Sequence, residues 1–145
     1  MPVYYDIFSD LNVVIYVCTG VVTPVDFFKI ADNVALDPRL KEEMKVIIDF
    51  FYADLETAVS DLHLAITKDK EAKQRGQRIG QTAVLTTSTA LKYVGDALRL
   101  LSMETITNFG IFHTEQDVIH WLSLPDNETL RCWSEIRSKT RNVHP

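Results

Sequence analysis

Glycine and cysteine are scarce in this sequence, and no apolar run is long. Its 145 residues include five glycines and two cysteines. The glycines are scattered, with neither a G-x-G-x-x-G run nor a phosphate-binding loop, so a backbone cradle for a nucleotide has no support. Cys18 and Cys132 lie far apart with no C-x-x-C spacing and read as reduced thiols. No stretch approaches the roughly 18 apolar residues that a membrane-spanning helix takes, so no membrane insertion is expected. Met1–Asp6 has neither a basic segment nor an apolar core, so a secretory signal is not expected there and the expected compartment is the cytoplasm. Positive charge is the minority: 15 Lys and Arg against 20 Asp and Glu leave a net charge of -5, which argues against a nucleic-acid surface. Four histidines, His63, His113, His120 and His144, fall in no H-E-x-x-H or Cys/His spacing, so neither a metal nor another cofactor is expected.

What is present is the composition of an ordinary globular chain, 46% apolar and 24% charged. A chain of this length buries roughly 68–70% of its unfolded surface, enough for one core without staples.

The densest apolar run, Met44–Tyr52, reads as a strand inside a sheet, with Asp49 in its middle. Before it, Val3–Phe8 and Leu11–Cys18 are strand-like and separated by Ser9-Asp10, which predicts a hairpin ended by Gly20. Thr23-Pro24-Val25-Asp26 is a helix start: a capping hydroxyl, proline at the first helical position, and an acid near the positive end of the helix. Phe27, Ile30, Ala31 and Val34 then recur at helical spacing, and Asp37-Pro38 stops the run. Asp54 or Glu56-Thr57 opens a second helix with the stripe Leu55, Ala58, Val59, Leu62, Ala65 and Ile66. The pattern fades into a charged stretch from Lys68 to Arg78, read as a solvated helix end. Gln81–Thr87 is a strand, Ser88 caps a helix, and Thr105–Phe112 is the last strand. Thr114-Glu115-Gln116-Asp117 resembles a capping box with Asp in its fourth place. Beyond Pro125-Asp126 a tail helix from about Glu128 to Arg137 carries Leu130, Trp133 and Ile136 or Arg137 along one side. The expected fold class is therefore α/β: a mixed four- to five-stranded sheet, an N-terminal β-hairpin then alternating helices and strands, plus a C-terminal tail helix. The expected division is residues 1–124 as the α/β domain and 125–145 as the tail.

The order of elements and several phrases resemble the STAS-like domains, the fold of anti-sigma-factor antagonists, and most of all its small stand-alone bacterial members. The phrases are Thr19–Pro24 after a hairpin, the helix ending at Asp37-Pro38, Val46–Asp49, Ala83–Leu85, Tyr93–Gly95, and Ile111-Phe112 followed by an acidic helix ending His120-Trp121-Leu122. Phosphorylatable antagonists carry an Asp-Ser-Ser-Gly-like turn after the central strand. Here that place reads Ala53-Asp54-Leu55-Glu56-Thr57, without the serine pair or the glycine, so serine phosphorylation is not implied. The resemblance implies a fold and a habit of binding other proteins: a non-enzymatic domain with a protein partner or a second copy of itself, as a homodimer.

The candidate binding residues are Asp49, Asp54, Glu56, Thr57, Ser60 and Thr87. A carboxylate in an apolar strand must be paired, hydrogen-bonded or neutral. Asp49 is thus either a structural acceptor or a ligand contact at the C-terminal side of the strands, where open α/β sheets place ligands. Asp54, Glu56, Thr57 and Ser60 gather at the expected helix start, as cap and dipole complement or as a partner-facing surface. A phosphoacceptor role for Asp49 needs an acidic pair near the first strand and a lysine after the last. Asp6 and Asp10 flank a hairpin strand instead, and Phe112-His113-Thr114 has no lysine. No nucleophile, base or metal set emerges, so no catalytic residue is assigned. The alternative to protein binding is a small-ligand pocket at the strand ends near Asp49, Tyr52, Thr86 and Thr87.

Overall fold

A computed structural model of the chain describes residues 3–55, 67–68, 70–71, 74–76, 80–87 and 109–143. Within them, five strands form one sheet in the order β1-β2-β3-β4-β5. They are β1 (Val3–Phe8), β2 (Val13–Val22), β3 (Lys45–Leu55), β4 (Thr82–Leu85) and β5 (Phe109–Phe112). β1 pairs antiparallel with β2, and every later pairing is parallel. This is the expected mixed sheet with its N-terminal hairpin. Three helices described from end to end accompany it: α1 (Pro24–Ala35), α2 (Glu115–Leu122) and α3 (Asp126–Val143). The starts expected at Glu56-Thr57 and at Ser88 lie outside the described residues, while Thr67, Lys68, Lys70, Glu71 and Gln74 are helical, in line with the solvated helix end expected there.

The hairpin loop is four residues, Ser9–Asn12, rather than the two-residue break the polar pair suggested. Leu11 and Asn12 N–H donate to the carbonyls of Phe8 and Ser9, and Asn12 takes a left-handed φ of 54°. Asparagine tolerates that region better than most residues, because its short polar side chain bonds locally. β2 also runs past Gly20, the expected end of the hairpin. Gly20 adopts φ 67°, a conformation that costs glycine little, and the strand continues beside β3 to Val22.

α1 starts as its sequence dictates. Thr23 Oγ1 accepts from Asp26 N–H at 3.2 Å, and Asp26 Oδ2 accepts from Thr23 N–H at 3.1 Å. Two otherwise orphaned donors are thereby satisfied reciprocally. α2 is capped by Thr114, whose hydroxyl accepts from Asp117 N–H at 3.1 Å. α3 begins at Asp126 and spans 18 residues, longer than the tail helix expected from about Glu128 to Arg137.

Alternation along the strands produces two cores. One face buries Val14, Tyr16, Cys18, Val22, Phe50 and Val84 with Ile30 and Val34 of α1. The other buries Val13, Ile15, Val17, Ile47, Ala83 and Leu85 with Val118, Ile119 and Leu122 of α2 and Trp133 and Ile136 of α3. Both faces of the central strands are covered, which is why they read as unbroken apolar runs. Among the described residues no helix is long and apolar enough to cross a membrane.

Candidate functional site

β3 carries one extra residue where it passes β2. Val17 lies opposite Asp49, but Thr19 lies opposite Tyr52, so two steps on β2 match three on β3. Such a bulge leaves a residue out of the ladder and redirects the side chains beside it. The Phe51 N–H at this bulge donates to Asp49 Oδ1 at 3.0 Å. Asp49 thus stabilises the irregularity in its own strand.

The other carboxylate oxygen of Asp49 is held from above by α3. Trp133 Nε1–H and Arg137 Nε–H both donate to Oδ2, each at 2.7 Å. Trp133 and Arg137 are four residues apart, so they lie one turn from each other on the face of α3 that meets the sheet. Asp49 is fully buried, and its charge is matched by the guanidinium. Arg137 Nη1 then reaches Glu115 Oε1 at the start of α2. The guanidinium carbon sits 5.2 Å from the Trp133 ring centre, 5.3 Å from Tyr52 and 6.0 Å from Phe51. Burial works against the charge of Arg137. Hydrogen bonds and attraction from Asp49, then Glu115, outweigh it, and the guanidinium holds its proton more tightly than usual. One strand, two helices and an aromatic cage are joined through a single side chain.

Asp49 therefore has both oxygens engaged and no surface. It positions the Phe51 backbone, Trp133 and Arg137. Beyond it the sheet narrows, because β4 ends at Leu85, opposite Asp49, while β2 and β3 continue as a pair to Val22 and Leu55. On this extension Phe51, Tyr52 and Val21 are 39%, 53% and 56% exposed. The Phe51 and Tyr52 rings meet edge to face with centres 4.9 Å apart. Two polar atoms at the same place are buried without a hydrogen-bond partner among the described residues: Arg137 Nη2 and Thr19 Oγ1, whose residue is paired with Tyr52.

The other candidates fall as follows. Asp54 is exposed, but it does not open a helix: it is a residue of β3 paired with Val21, and Leu55 pairs with Val22. The parallel pairing to β2 extends the strand where local sequence suggested a helix start. Thr87 is exposed just past the end of β4. Glu56, Thr57 and Ser60 lie outside the described residues. Asp54 and Thr87 share the C-terminal end of the parallel strands with Asp49 beneath them. His113 sits at the same end, exposed, its Nδ1 2.7 Å from the Thr86 carbonyl. Cys18 is inert: burial pushes its thiol far up and Asp49 adds to the shift, so the thiolate is suppressed. Arg137 and Glu115, the residues that complete the constellation, were not among the candidates. The signal for Arg137 was a cation next to Ile136 on the apolar stripe of a helix, in a chain with a lone acid in a buried strand.

A hairpin feeding a run of parallel strands in sequence order, with helices on both faces, defines a STAS-like α/β fold. The crystal structure of an uncharacterised protein of the DUF3478 family from Shewanella loihica PV-4, which has a SpoIIAA-like fold, is similar over 83% of this chain and 93% of that one, with a TM-score of 0.54 and 18% sequence identity. The likeness is one of fold, and this chain has the SpoIIAA-like fold. No protein-family model matches the sequence, and no curated protein matches it.

Proposed function

We propose that the chain is a non-enzymatic interaction domain that works in the cytoplasm and recognises a protein through the outer ends of β2 and β3. The observation that carries this reading is the exposure of Val21, Phe51 and Tyr52 together on a backbone fixed by Asp49 and Arg137. Large apolar side chains exposed side by side mark contact surfaces more often than isolated ones do. Aromatic residues held in place lose little entropy on binding, which suits them as anchors. Asp54, exposed beside Val21, adds a charged rim, and Thr87 lies at the same end of the sheet. Glu56, Thr57 and Ser60 follow directly in sequence and belong to the same proposal. The partner is another protein or a second copy of this chain in a homodimer.

The test is a comparison between the wild-type chain and a Val21→Ser/Tyr52→Ser variant, both confirmed folded by circular dichroism. Each is used as bait in lysate of its source, and each is weighed by sedimentation. Loss of a reproducibly captured protein, or of self-association, in the variant supports the surface. The same proteins and the same mass for both baits rule it out.

A small-ligand site at this end of the sheet is the second reading. It is favoured by two buried atoms without a partner among the described residues, Nη2 of Arg137, whose guanidinium lies against the Tyr52 ring, and Oγ1 of Thr19, the residue paired with Tyr52. A ligand that binds only the folded chain raises its melting temperature, so a thermal-shift screen across metabolites, nucleotides and lipids separates this reading from the first.

A further inference from the structure

Among the described residues β1 is the outer strand on one side of the sheet, and an outer strand offers unpaired N–H and C=O groups to any incoming strand. Four side chains, Tyr5, Asp6, Asp37 and Arg39, form a network with an unusual route. Tyr5 and Asp6 are consecutive in β1, so their side chains point to opposite faces. Tyr5 packs with the α1-side core, while Asp6 is opposite Ile15, a residue of the α3-side core. Yet the two are joined. Tyr5 O–H donates to Asp37 Oδ2 at 3.2 Å. Arg39 donates to Asp37 through Nε at 3.1 Å and Nη2 at 3.0 Å, and through Nη1 to Asp6 Oδ1 at 2.8 Å. β2 occupies the inner side of β1, so a connection from one face to the other passes round the free edge. The same Asp6 Oδ1 also accepts the N–H of Ile7 at 2.8 Å.

We infer that the Asp37–Arg39–Asp6 bridge is a strap across the β1 edge that closes this strand to pairing with a second copy of the chain. Two physical effects act together. The Ile7 N–H is already occupied by a carboxylate, so an incoming carbonyl finds no free donor there. The Arg39 side chain lies in the path of an approaching backbone. Partly exposed ion pairs contribute little to stability, about 0–1 kcal/mol each, so fold stability alone does not account for three charged residues spent on one strand edge. Any self-association of this chain then uses a surface other than β1.

The experiment is sedimentation velocity over a concentration series on the wild-type chain and on Asp6→Ala/Arg39→Ala, with hydrogen exchange on β1. The expected result is a further, concentration-dependent association step in the variant, beyond whatever state the wild type occupies, accompanied by new protection of β1 amides in the associated form. A folded variant with wild-type mass at every concentration overturns the inference. So does association that leaves β1 amides unprotected. If the double variant does not fold, Asp6→Ala alone is read by the same criteria, since Arg39 stays held by Asp37.

Discussion

Arg137 brings a charge into a half-enclosed apolar setting, and Asp49 is what lets it stay there. Removing one partner of such a pair strands the other, which typically costs about 3–5 kcal/mol. Asp49 keeps two other donors, Trp133 Nε1–H and Phe51 N–H, so Arg137→Ala is expected at the low end of that range, about 3 kcal/mol, in urea unfolding. A change below about 1 kcal/mol would show that Asp49 is satisfied without the guanidinium. Trp133→Phe loses one hydrogen bond to a charged acceptor, about 1.5–3 kcal/mol, and also leaves a gap where the second ring of the buried indole packed, so the deficit should be at least in that range. The two substitutions share Asp49, so their effects should not add. Asp37 gives a separate, pH-readable case. Hydrogen bonds from Arg39, then the bond from Tyr5, hold its carboxyl at about 2, below its ordinary 3.8. A depressed folded-state value means stabilisation that is complete above the unfolded value and lost as pH falls through the folded one. The stability gap between wild type and Arg39→Ala should therefore be constant above about pH 5 and close as pH falls from 4 towards 2. Asp6 is the other acid that Arg39 holds, so making the comparison with Asp6→Asn in both backgrounds isolates the contribution of Asp37. A gap that persists unchanged at the acid end would contradict the assignment.

At the scale of elements, local chemistry and tertiary pairing divide the outcome. α1 is specified locally. Thr23, Pro24 and Asp26 are the residues a helix start requires, and the reciprocal bonds between Thr23 and Asp26 are formed. Thr23→Ala should cost about 1 kcal/mol, within the ~0.5–2 kcal/mol range of lost caps, measured by thermal or urea unfolding. A neutral outcome would mean that the α1 contacts with β1 and the sheet hold the helix without its cap. The strands β1, β2 and β3 were legible for the same reason, through runs of β-branched and aromatic residues bounded by polar breaks. The ends of β2 and β3 were not. Val21, Val22, Asp54 and Leu55 are strand residues because they pair with each other across a sheet whose register changes at Thr19 and Tyr52. Nothing in either local sequence announces that change. The site divides the same way. A lone acid among apolar neighbours identified Asp49 as a residue that needs partners. Those partners are 84 and 88 residues away in α3, with Glu115 contributed by a third element, and only the packing brings them together. The extension that exposes Phe51 and Tyr52 follows from β4 stopping at Leu85, a fact about a neighbouring strand.

At the scale of the molecule, α3 shares with α2 the cover of one face of the sheet. It packs across β1 and β2 and against α2. It also places Trp133 and Ile136, each 1% exposed, over Val13, Ile15, Val17 and Ile47. Fully burying one such aliphatic or aromatic side chain contributes about 1.5–3 kcal/mol, while a whole domain is stable by only about 5–15 kcal/mol. Uncovering several of them removes an amount comparable to that whole margin. Removing α3 also strips Asp49 of both side-chain donors, leaving its carboxylate with the single N–H of Phe51. We propose on these grounds that the sheet and α3 form one cooperative unit, although Pro125 separates α3 from α2 along the chain. A chain ended at Leu124 should lose its near-ultraviolet circular dichroism, bind a hydrophobic dye and show no cooperative urea transition, while retaining part of its far-ultraviolet signal. A sharp transition and a fixed near-ultraviolet spectrum in the shortened chain would instead make α3 an accessory, and would free the Asp49 face as a second contact surface. The two outcomes bear directly on the proposed interaction surface, because Arg137 of α3 is the side chain that fixes Phe51 and Tyr52 in place.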